Sequence, residues 1–303
     1  MKRYIFKILL FFIIVAVIDQ LCGVAMNYVN SHAKGGATKD NYDVFNNVTA
    51  DIIILGSSRA YHHYNPQIIE DSIGMSCHNC GYDGTGIINM YGRLVEICKR
   101  KVPRIVLYDV VATHDLYEKD NKREMNGLKP YCKRDSISTI IQSISQIERI
   151  KLLSCAYRYN SDVFQFVRDY VMQNGIHEKG FEPMKNVMDY EPEPFESHYK
   201  SEQPDSIKMY FFQKLIDLSK EQRFKLFICF SPWYQANTDA EFYPIMDLCK
   251  KNSLPVLNFY CDSLNKDKEM FADQVHLNER GSTIYTNIII KSLRKFLIHN
   301  LPE

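Results

Sequence analysis

Short apolar runs alternate with amphipathic segments along most of the chain. The runs are rich in β-branched and aromatic residues, which is typical of buried parallel strands, and they lie at 51–55, 104–111, 225–230 and 254–259. The stretch 75–79 is interpreted as a further short strand. Capping signals and apolar residues at helical spacing predict helices over 66–74, 86–101, 205–220, 241–251 and 279–297. Strands that alternate with helices indicate an α/β fold with a parallel sheet.

The N-terminus departs from this pattern. Three cations, Lys2, Arg3 and Lys7, precede the unbroken apolar run ILLFFIIVAVI over 8–18. A positive start before such a run is typical of a signal peptide, and no small-residue cleavage site follows it. Segment 1–28 is therefore predicted to be an uncleaved signal anchor, with a cleaved signal as the alternative. The cations favour a cytoplasmic N-terminus and export of the rest, which makes a single-pass membrane protein with an extracytoplasmic domain.

Two further segments interrupt the alternation. Residues 29–48 are polar and contain a Gly-Gly pair, so they are interpreted as a linker. The remaining 49–303 form one predicted α/β domain. Within it, 112–203 lacks strands and carries helical patterns near 136–148 and 150–172, which indicates a helical insertion over one face of the domain.

Composition narrows the class of protein. The 303 residues carry a net charge of +1, which excludes a chain-wide basic surface for nucleic acid. A hydrophobic fraction of 46% excludes intrinsic disorder. The cysteines are scattered, and Cys77 and Cys80 form a lone C-x-x-C without a second pair at zinc spacing. Neither a metal nor an organic cofactor is predicted.

The carboxyl ends of parallel strands are where sites lie in such folds. The first predicted strand ends in Gly56-Ser57-Ser58. A Ser at a strand-to-helix turn raises its hydroxyl above the sheet edge, and the preceding Gly permits a tight turn. Ser58 is therefore a candidate nucleophile; the alternative is an ordinary helix cap.

A second candidate motif lies before the last predicted helix. Asp273 and His276 are three positions apart, which places them on one face of a turn. Asp273 can then hold one ring nitrogen of His276 while the other accepts a proton, as in the base and orienting residue of a catalytic triad. The alternative is an unrelated loop Asp and surface His.

The third motif is the glycine-rich turn Asn79-Cys-Gly-Tyr-Asp-Gly-Thr-Gly86, which follows the second predicted strand. Such a turn at the start of a helix points backbone N–H groups at an anion. The spacing is not G-x-G-x-x-G, so a dinucleotide site is not indicated. A plain loop is the alternative.

Together these motifs resemble those of the SGNH (GDSL-like) hydrolases. Gly56-Ser57-Ser58 is similar to that family's first block, Asn79 with Gly84 to its second, and Asp273 with His276 to its last. The variant of the first block with a Ser before the nucleophile is similar to that of envelope acyl-transfer proteins related to D-alanyl-lipoteichoic-acid and alginate acetylation factors. The resemblance covers about 50–111 and 205–297. It implies a three-layer α/β/α, flavodoxin-like SGNH fold.

The resemblance also implies roles. Ser58, His276 and Asp273 correspond to the catalytic triad, and the N–H groups of Ser58 and Gly84 to oxyanion donors. The family's third block normally supplies an Asn as another donor, whereas this chain has Tyr108-Asp-Val-Val-Ala-Thr-His-Asp115 there. Thr113, His114 or the two backbone N–H groups alone are the alternatives. Losing one such donor typically costs about 3 kcal/mol of transition-state stabilisation.

The expected function is serine-dependent hydrolysis of O-acyl esters, acetyl esters above all, on an envelope or secreted glycan or a small ester. One alternative is acyl transfer to a cell-surface polysaccharide with a multispanning membrane partner. A non-catalytic glycan-binding envelope protein is another. Trp233 and Tyr234 either line the pocket or pack in the core, and His62-His63 is not expected to be a metal pair, because adjacent helical residues do not face each other.

Overall fold

The computed structural model describes residues 1–160, 162–172, 175, 177–197 and 203–300, with the side chains of 299 and 300 excepted. In chain order the helices and strands are α1 (Lys2–Ser31), α2 (Gly36–Asn46), β1 (Ile52–Gly56), α3 (Ser58–His63), α4 (Pro66–Ile73), β2 (Cys77–Asn79), α5 (Ile87–Cys98), β3 (Ile105–Asp109), α6 (Asp135–Ile144), α7 (Gln146–Lys151), α8 (Cys155–Tyr159), α9 (Val163–Val171), α10 (Ser206–Gln222), β4 (Lys225–Phe230), α11 (Tyr243–Lys251), β5 (Val256–Asn258) and α12 (Glu279–Asn300).

The chain divides into two compact units. Met1–Asp43 and Met125–Ile176 form the first, which we call the anchor unit. Val44–Glu124 and His177–Glu303 form the second, which we call the sheet unit.

The sheet unit contains one parallel sheet in the order β2-β1-β3-β4-β5. Ile54 pairs with Leu107 between β1 and β3, and Leu107 pairs with Phe227 between β3 and β4. This is the flavodoxin-like order, whose switch point lies between the first and third strands. Residues that follow β1 and β3 therefore meet at the carboxyl edge of the sheet.

Helices cover both faces of this sheet. Nearly every residue of its central strands is therefore buried. Ile54 and Leu107 pack in one cluster with Tyr285 and Ile289 of α12. On the opposite face, the ring of Tyr108 lies 5.5 Å from that of Phe212 in α10. The predicted three-layer α/β fold with a parallel sheet is thus confirmed.

The anchor unit is built on α1. From Tyr4 to Leu21 the large apolar side chains of this helix are exposed, and α1 is the one helix among the described residues that is long and apolar enough to cross a membrane. Its later turns pack against α8, where a Cβ at Gly23 would lie 2.2 Å from Sγ of Cys155. Close packing at Gly23 therefore sets the approach of these two helices.

The carboxylate of Asp19 caps α8 within the same unit. Its oxygens accept hydrogen bonds from the hydroxyl of Ser154 at 2.9 Å and from the N–H groups of Cys155 and Ala156 at 2.8 and 2.7 Å. These N–H groups lie in the first turn of α8, where no intrahelical acceptor exists. The charge that ends the apolar run thus also begins a second helix.

The segment boundaries differ from the sequence-based expectation. α1 continues to Ser31 rather than 28, and the predicted linker 29–48 contains helix α2. The buried side chain of Asn41 in α2 donates to the carbonyl of Gly127, and Thr38 donates to Asp169, so tertiary hydrogen bonds stabilise a helix that the polar pattern hides.

The predicted insertion 112–203 is helical, as expected, but it is shared between the units. Residues 125–176 belong to the anchor unit, whereas 112–124 and 177–203 belong to the sheet unit. Where two helices are predicted, the described residues form four short α-helices, α6 to α9. Residues 161, 173, 174, 176 and 198–202 of this segment, and 301–303 of the predicted domain, lie outside the described residues.

Candidate active site

The turn after β1 requires a glycine. Gly56 has a φ of +142°, and a Cβ at this position would lie 2.5 Å from the carbonyl oxygen of Asp109. The chain then passes Ser57 and enters α3 at Ser58. The strand therefore ends in a sharp turn that places the first residue of α3 at the carboxyl edge of the sheet.

Three predicted site residues lie in one hydrogen-bonded chain. Oγ of Ser58 is 2.8 Å from Nε2 of His276. Nδ1 of the same ring is 2.9 Å from Oδ2 of Asp273. The two motifs are 218 positions apart for Ser58 and His276, and the fold brings them within hydrogen-bond distance.

Asp273 is held in its ionised form by this geometry. Its Oδ1 also accepts the N–H groups of Val275 and His276, at 2.8 and 2.9 Å. Partial burial opposes ionisation, but the hydrogen bonds from the His276 ring and from these N–H groups hold the pKa of the Asp273 carboxyl below its ordinary value. An ionised Asp273 keeps the proton of neutral His276 on Nδ1 and leaves Nε2 as an acceptor towards Ser58.

Two further histidines surround His276, and the sequence analysis missed their role. Nε2 of the fully buried His63 accepts the N–H of Leu277 at 3.0 Å, and its ring packs edge-on against His276. Burial, with the nearby charges of His276, Arg59 and His62, holds the pKa of His63 well below its ordinary value, so it stays neutral. The available signal was their place one turn after Ser58 on the same short helix.

His62 faces His276 from another side, with ring centroids 5.5 Å apart. Its Nδ1 lies 2.7 Å from the carbonyl of Glu182, and its Nε2 lies 3.5 Å from Asp83. Burial opposes its charged form, but the contacts with Asp83 and Glu182 together raise the pKa of His62 above its ordinary value. Among the described residues, no group of three or more His, Cys, Asp or Glu side chains is placed to hold a metal.

The buried side chain of Arg59 stabilises the turn after β1. Arg59 donates to the carbonyls of Val110 at 2.6 Å and Ser231 at 3.3 Å, and it lies 3.9 Å from Asp109. The hydroxyl of Tyr64 donates to the same Asp109 carboxyl. Burial raises the pKa of Asp109, while the charge of Arg59 and the hydrogen bond from Tyr64 oppose this rise. The network ties α3 to the ends of β3 and β4.

The glycine-rich turn after β2 binds an anion of its own chain. Oε2 of buried Glu124 accepts the N–H groups of Gly86 at 2.9 Å and Asn89 at 3.1 Å, at the start of α5. Burial raises the pKa of Glu124, and buried Lys208 lies 3.7 Å away. The expected anion at this helix start is thus an internal carboxylate rather than a ligand. Gly84 in the same turn has a φ of +66°, and its assignment as an oxyanion donor stays a prediction.

The segment in place of the missing Asn forms a π-helical turn over Thr113–Tyr117. Nδ1 of His114 is 3.0 Å from the carboxylate of Glu118, and its carbonyl accepts from Lys208. Within the same turn Asp115 is fully buried and accepts the hydroxyl of Tyr108 at 2.6 Å. Burial raises the pKa of Asp115 to about 7.

A cleft of about 390 Å³ lies alongside these residues. Its aromatic walls are Phe195, Trp233 and Tyr260, and its polar lining includes Thr113, Glu193, Glu196, Glu241 and Gln274. Gln274 directly follows Asp273 in the chain, and both Trp233 and Tyr260 pack against Arg59, the neighbour of Ser58. Chain neighbours of Asp273 and Ser58 thus line or contact the cleft, whereas its described lining does not include Ser58, Asp273 or His276 themselves.

The structure separates the two neighbouring aromatic residues after β4. Trp233 lines the cleft, whereas Tyr234 is buried in the core with its ring 5.4 Å from that of Phe271. The scattered cysteines are all free thiols, and Cys77 and Cys80 are both buried. Burial raises the pKa of Cys77 well above its ordinary value, so it is an unreactive core thiol.

Comparison with known proteins finds solved structures of low similarity to this chain. No protein-family model and no curated protein sequence matches the chain. Among solved structures the chain is similar to an acylhydrolase from Bacteroides fragilis, with 11% identity, a TM-score of 0.44, and 86% of this chain and 97% of that chain covered. It is also similar to a GDSL-like lipase from Bacteroides thetaiotaomicron, with 11% identity, a TM-score of 0.41, and coverage of 81% and 88%.

An acetyl xylan esterase is a third such structure, with 14% identity, a TM-score of 0.41, and 80% of this chain and 99% of that chain covered. The three names are those of ester hydrolases, and one of these proteins is GDSL-like, as is the hydrolase family that the sequence motifs resemble. Because all three TM-scores lie below 0.5, we draw nothing from them about the chemistry of this chain.

Proposed function

We propose that this protein is a serine esterase that hydrolyses O-acyl esters through Ser58, His276 and Asp273. The observation that supports the proposal is the continuous hydrogen-bonded chain from Asp273 through His276 to Ser58. Oγ of Ser58 attacks the ester carbonyl carbon while Nε2 of His276 takes the hydroxyl proton. Asp273 keeps the His276 ring in the tautomer that this step needs and stabilises the imidazolium that forms.

The tetrahedral intermediate then collapses. The carbon–oxygen bond to the alcohol breaks, and the imidazolium of His276 returns the proton to the leaving oxygen. A water molecule, deprotonated by the same Nε2, attacks the acyl carbon. The bond from that carbon to Oγ of Ser58 breaks, the imidazolium returns the proton to Oγ, and the carboxylic acid leaves. Atoms and charges balance without a metal or an organic cofactor.

The oxyanion needs donors at the carboxyl edge of the sheet. The N–H of Ser58 is in the first turn of α3 and has no intrahelical acceptor. We assign it and the N–H of Gly84 to the oxyanion, with the hydroxyl of Thr113, which lines the cleft, as the third candidate donor.

The substrate class that we propose is an acetyl ester on an envelope or secreted glycan. The cleft volume is within the range of about 300–1,000 Å³ that is usual for small-molecule sites. Its mixture of aromatic walls with carboxylate and amide groups suits a ring that is apolar on its faces and polar at its edge, as a sugar is. Near-zero net charge leaves selectivity to this cleft rather than to bulk attraction.

Acyl transfer is the second candidate function. It uses the same chain of hydrogen bonds, because only the second nucleophile differs: a glycan hydroxyl replaces water at the acyl-Ser58 ester. A multispanning membrane partner would supply the acyl group. Incubation with an acyl donor and a glycan acceptor distinguishes the two, since transfer yields acylated glycan and hydrolysis yields free acid.

We further propose that α1 anchors the protein in the cell membrane, with the sheet unit on the extracytoplasmic side. The exposed apolar surface of α1 and the cations that precede it support this orientation. Protease treatment of intact cells tests it: the sheet unit is expected to be digested, and its full protection would contradict the orientation.

The experiment for the activity is Ser58→Ala, with Ser57→Ala as the matched control. Both variants lose one hydroxyl from the same turn, but only Ser58 contacts His276. With a chromogenic acetyl ester and a fluorophosphonate probe, Ser58→Ala is expected to lose turnover by roughly 10⁴-fold or more and to lose labelling, whereas Ser57→Ala keeps both.

Unchanged turnover or labelling in Ser58→Ala would overturn the nucleophile assignment. Wild-type protein that binds acetylated glycan without turning it over would instead favour the non-catalytic glycan-binding alternative.

A further inference from the structure

The anchor unit exposes an apolar patch on α7. Ile147, Ile150 and Leu153 are 65%, 67% and 72% exposed, and their spacing of three residues places them on one side of this short helix and of the turn after it. We call these three side chains the α7 patch. Arg149 and Lys151 lie on either side of Ile150 around the helix. Apolar side chains flanked by cations are typical of helices that lie in a membrane interface.

The position of the α7 patch is fixed relative to the apolar run of α1. Nε2 of Gln20 donates to the carbonyl of Leu153 at 3.3 Å. The next residues, Ser154 to Ala156, are held by the carboxylate of Asp19. The N–H of Leu153 in turn donates to the carbonyl of Ile150. The patch is therefore joined to the two polar residues, Asp19 and Gln20, that follow the unbroken apolar run of α1.

A bilayer around α1 would reach this level. Lys2 to Asp19 spans about 26 Å at 1.5 Å per residue, close to the ~30 Å thickness of a hydrocarbon core. A headgroup layer extends about 5–8 Å beyond that core on each side. Apolar faces of interfacial helices sink about 5–10 Å into this boundary. Side chains beside Asp19 and Gln20 lie within that range.

We propose that the α7 patch inserts into the membrane interface on the side where α1 emerges, so that the anchor unit holds the protein by a spanning helix and by an interfacial contact. The lipid surface, rather than a second copy of the chain, is the occupant, because hydrogen bonds at Asp19 and Gln20 hold the patch at the level where the unbroken apolar run of α1 ends. The proposal rests on the proposed anchoring of the protein by α1.

The single tryptophan of the chain permits a direct test. In a Trp233→Phe background, Ile150→Trp reports on the α7 patch, and Ile14→Trp reports on the middle of the apolar run of α1. Val171→Trp is the matched control: Val171 is 62% exposed on α9, beside Tyr170, whose ring packs against Tyr28. Tyr28 lies about 14 Å further along α1 than Asp19.

The full chain is reconstituted in nanodiscs of zwitterionic and anionic phospholipid, with and without brominated acyl chains. We expect bromine to quench Ile14→Trp and Ile150→Trp, with a blue-shifted emission for both, and to leave Val171→Trp unquenched. Quenching of Ile14→Trp without quenching of Ile150→Trp would overturn the interfacial contact while leaving the anchor intact.

Two other outcomes also count against the proposal. A blue shift of Ile150→Trp that bromine does not quench would mean that protein, a second copy included, covers the patch. If Ile14→Trp is not quenched, α1 does not span the bilayer, and the anchoring proposal fails together with the interfacial one.

Discussion

The two compact units of this protein treat apolar side chains in opposite ways. In the sheet unit, large apolar residues such as Tyr108, Phe212 and Phe227 are buried on the two faces of one sheet. The anchor unit has only a small cluster of its own, formed by Cys155, Tyr159 and Phe166 with two residues of α1. Its exposed large apolar side chains lie on α1, on α9 and in the α7 patch.

Buried polar groups, by contrast, are satisfied in the same way in the two units. In both units buried carboxylates are satisfied by N–H and hydroxyl donors, such as Asp115 in the sheet unit and Asp169 in the anchor unit. Burial of apolar side chains from water accounts for the packing of the sheet unit, whereas the anchor unit leaves the large apolar side chains of α1 exposed.

The largest expected effect is a loss of turnover on substitution of Asp273 in the sheet unit. Asp273→Asn keeps the size of the side chain but removes the charge that fixes the His276 tautomer. We expect turnover of an acetyl ester to fall by about 10⁴-fold with KM little changed. Steady-state kinetics measure it, and Asp71→Asn, at an exposed position of α4, is the control. A loss below tenfold would mean that Asp273 does not orient His276.

The next effect concerns a buried carboxyl that the proposed chemistry does not use. Burial raises the pKa of Asp115 from 3.8 to about 7, so between these values the folded chain holds a proton that the unfolded chain releases. The folded state then binds more protons, and stability falls as pH rises through this window, by up to about 4 kcal/mol. Asp115→Asn is expected to flatten this dependence.

Urea unfolding of wild type and Asp115→Asn between pH 4 and pH 8 measures the difference. Asp71→Asn should leave the slope as in the wild type. A wild-type stability that rises across the same window with the slope unchanged in Asp115→Asn would contradict the assignment.

A smaller effect is expected at His63, which we place as a positioning residue for His276. His63→Phe removes the acceptor of the Leu277 N–H and disturbs the loop that carries His276. We expect kcat to fall by about 10²-fold, the cost of a displacement near 1 Å, with little change in KM. His63→Gln, which restores an acceptor, should recover part of kcat, and the pH–rate profile should shift in His63→Phe only. Loss of stability with an unchanged profile and no rescue would indicate a merely structural residue.

The smallest effect tests the anchor unit. Asp19→Ala removes the acceptor for three donors at the start of α8 and is expected to destabilise that helix by about 1–2 kcal/mol. Hydrogen exchange of the Cys155 and Ala156 amides in nanodiscs measures the loss. Gln20→Ala, which removes one longer hydrogen bond, should change exchange less, and neither variant should alter ester turnover. Equal protection in Asp19→Ala and wild type would refute the capping role.

The candidate site shows which functional residues a local sequence pattern can predict. Ser58, Asp273 and His276 stood out because each motif follows a predicted strand or precedes the last helix, and such positions meet at one edge of a parallel sheet. His62 and His63 did not, because their contacts with His276 and Leu277 join segments more than two hundred positions apart. Glu124 was invisible for the same reason: its partners, the N–H groups at the start of α5, lie far from it in the chain.

The α/β alternation, the long apolar helix and the candidate catalytic residues can all be predicted from the sequence, because periodicity, length of apolar runs and strand-end position are local properties. Long-range contacts, by contrast, account for the division of the insertion between two units, for helix α2, and for the binding of Glu124 by the glycine-rich turn. These outcomes depend on hydrogen bonds and burial between distant segments, whose free energies no local pattern contains.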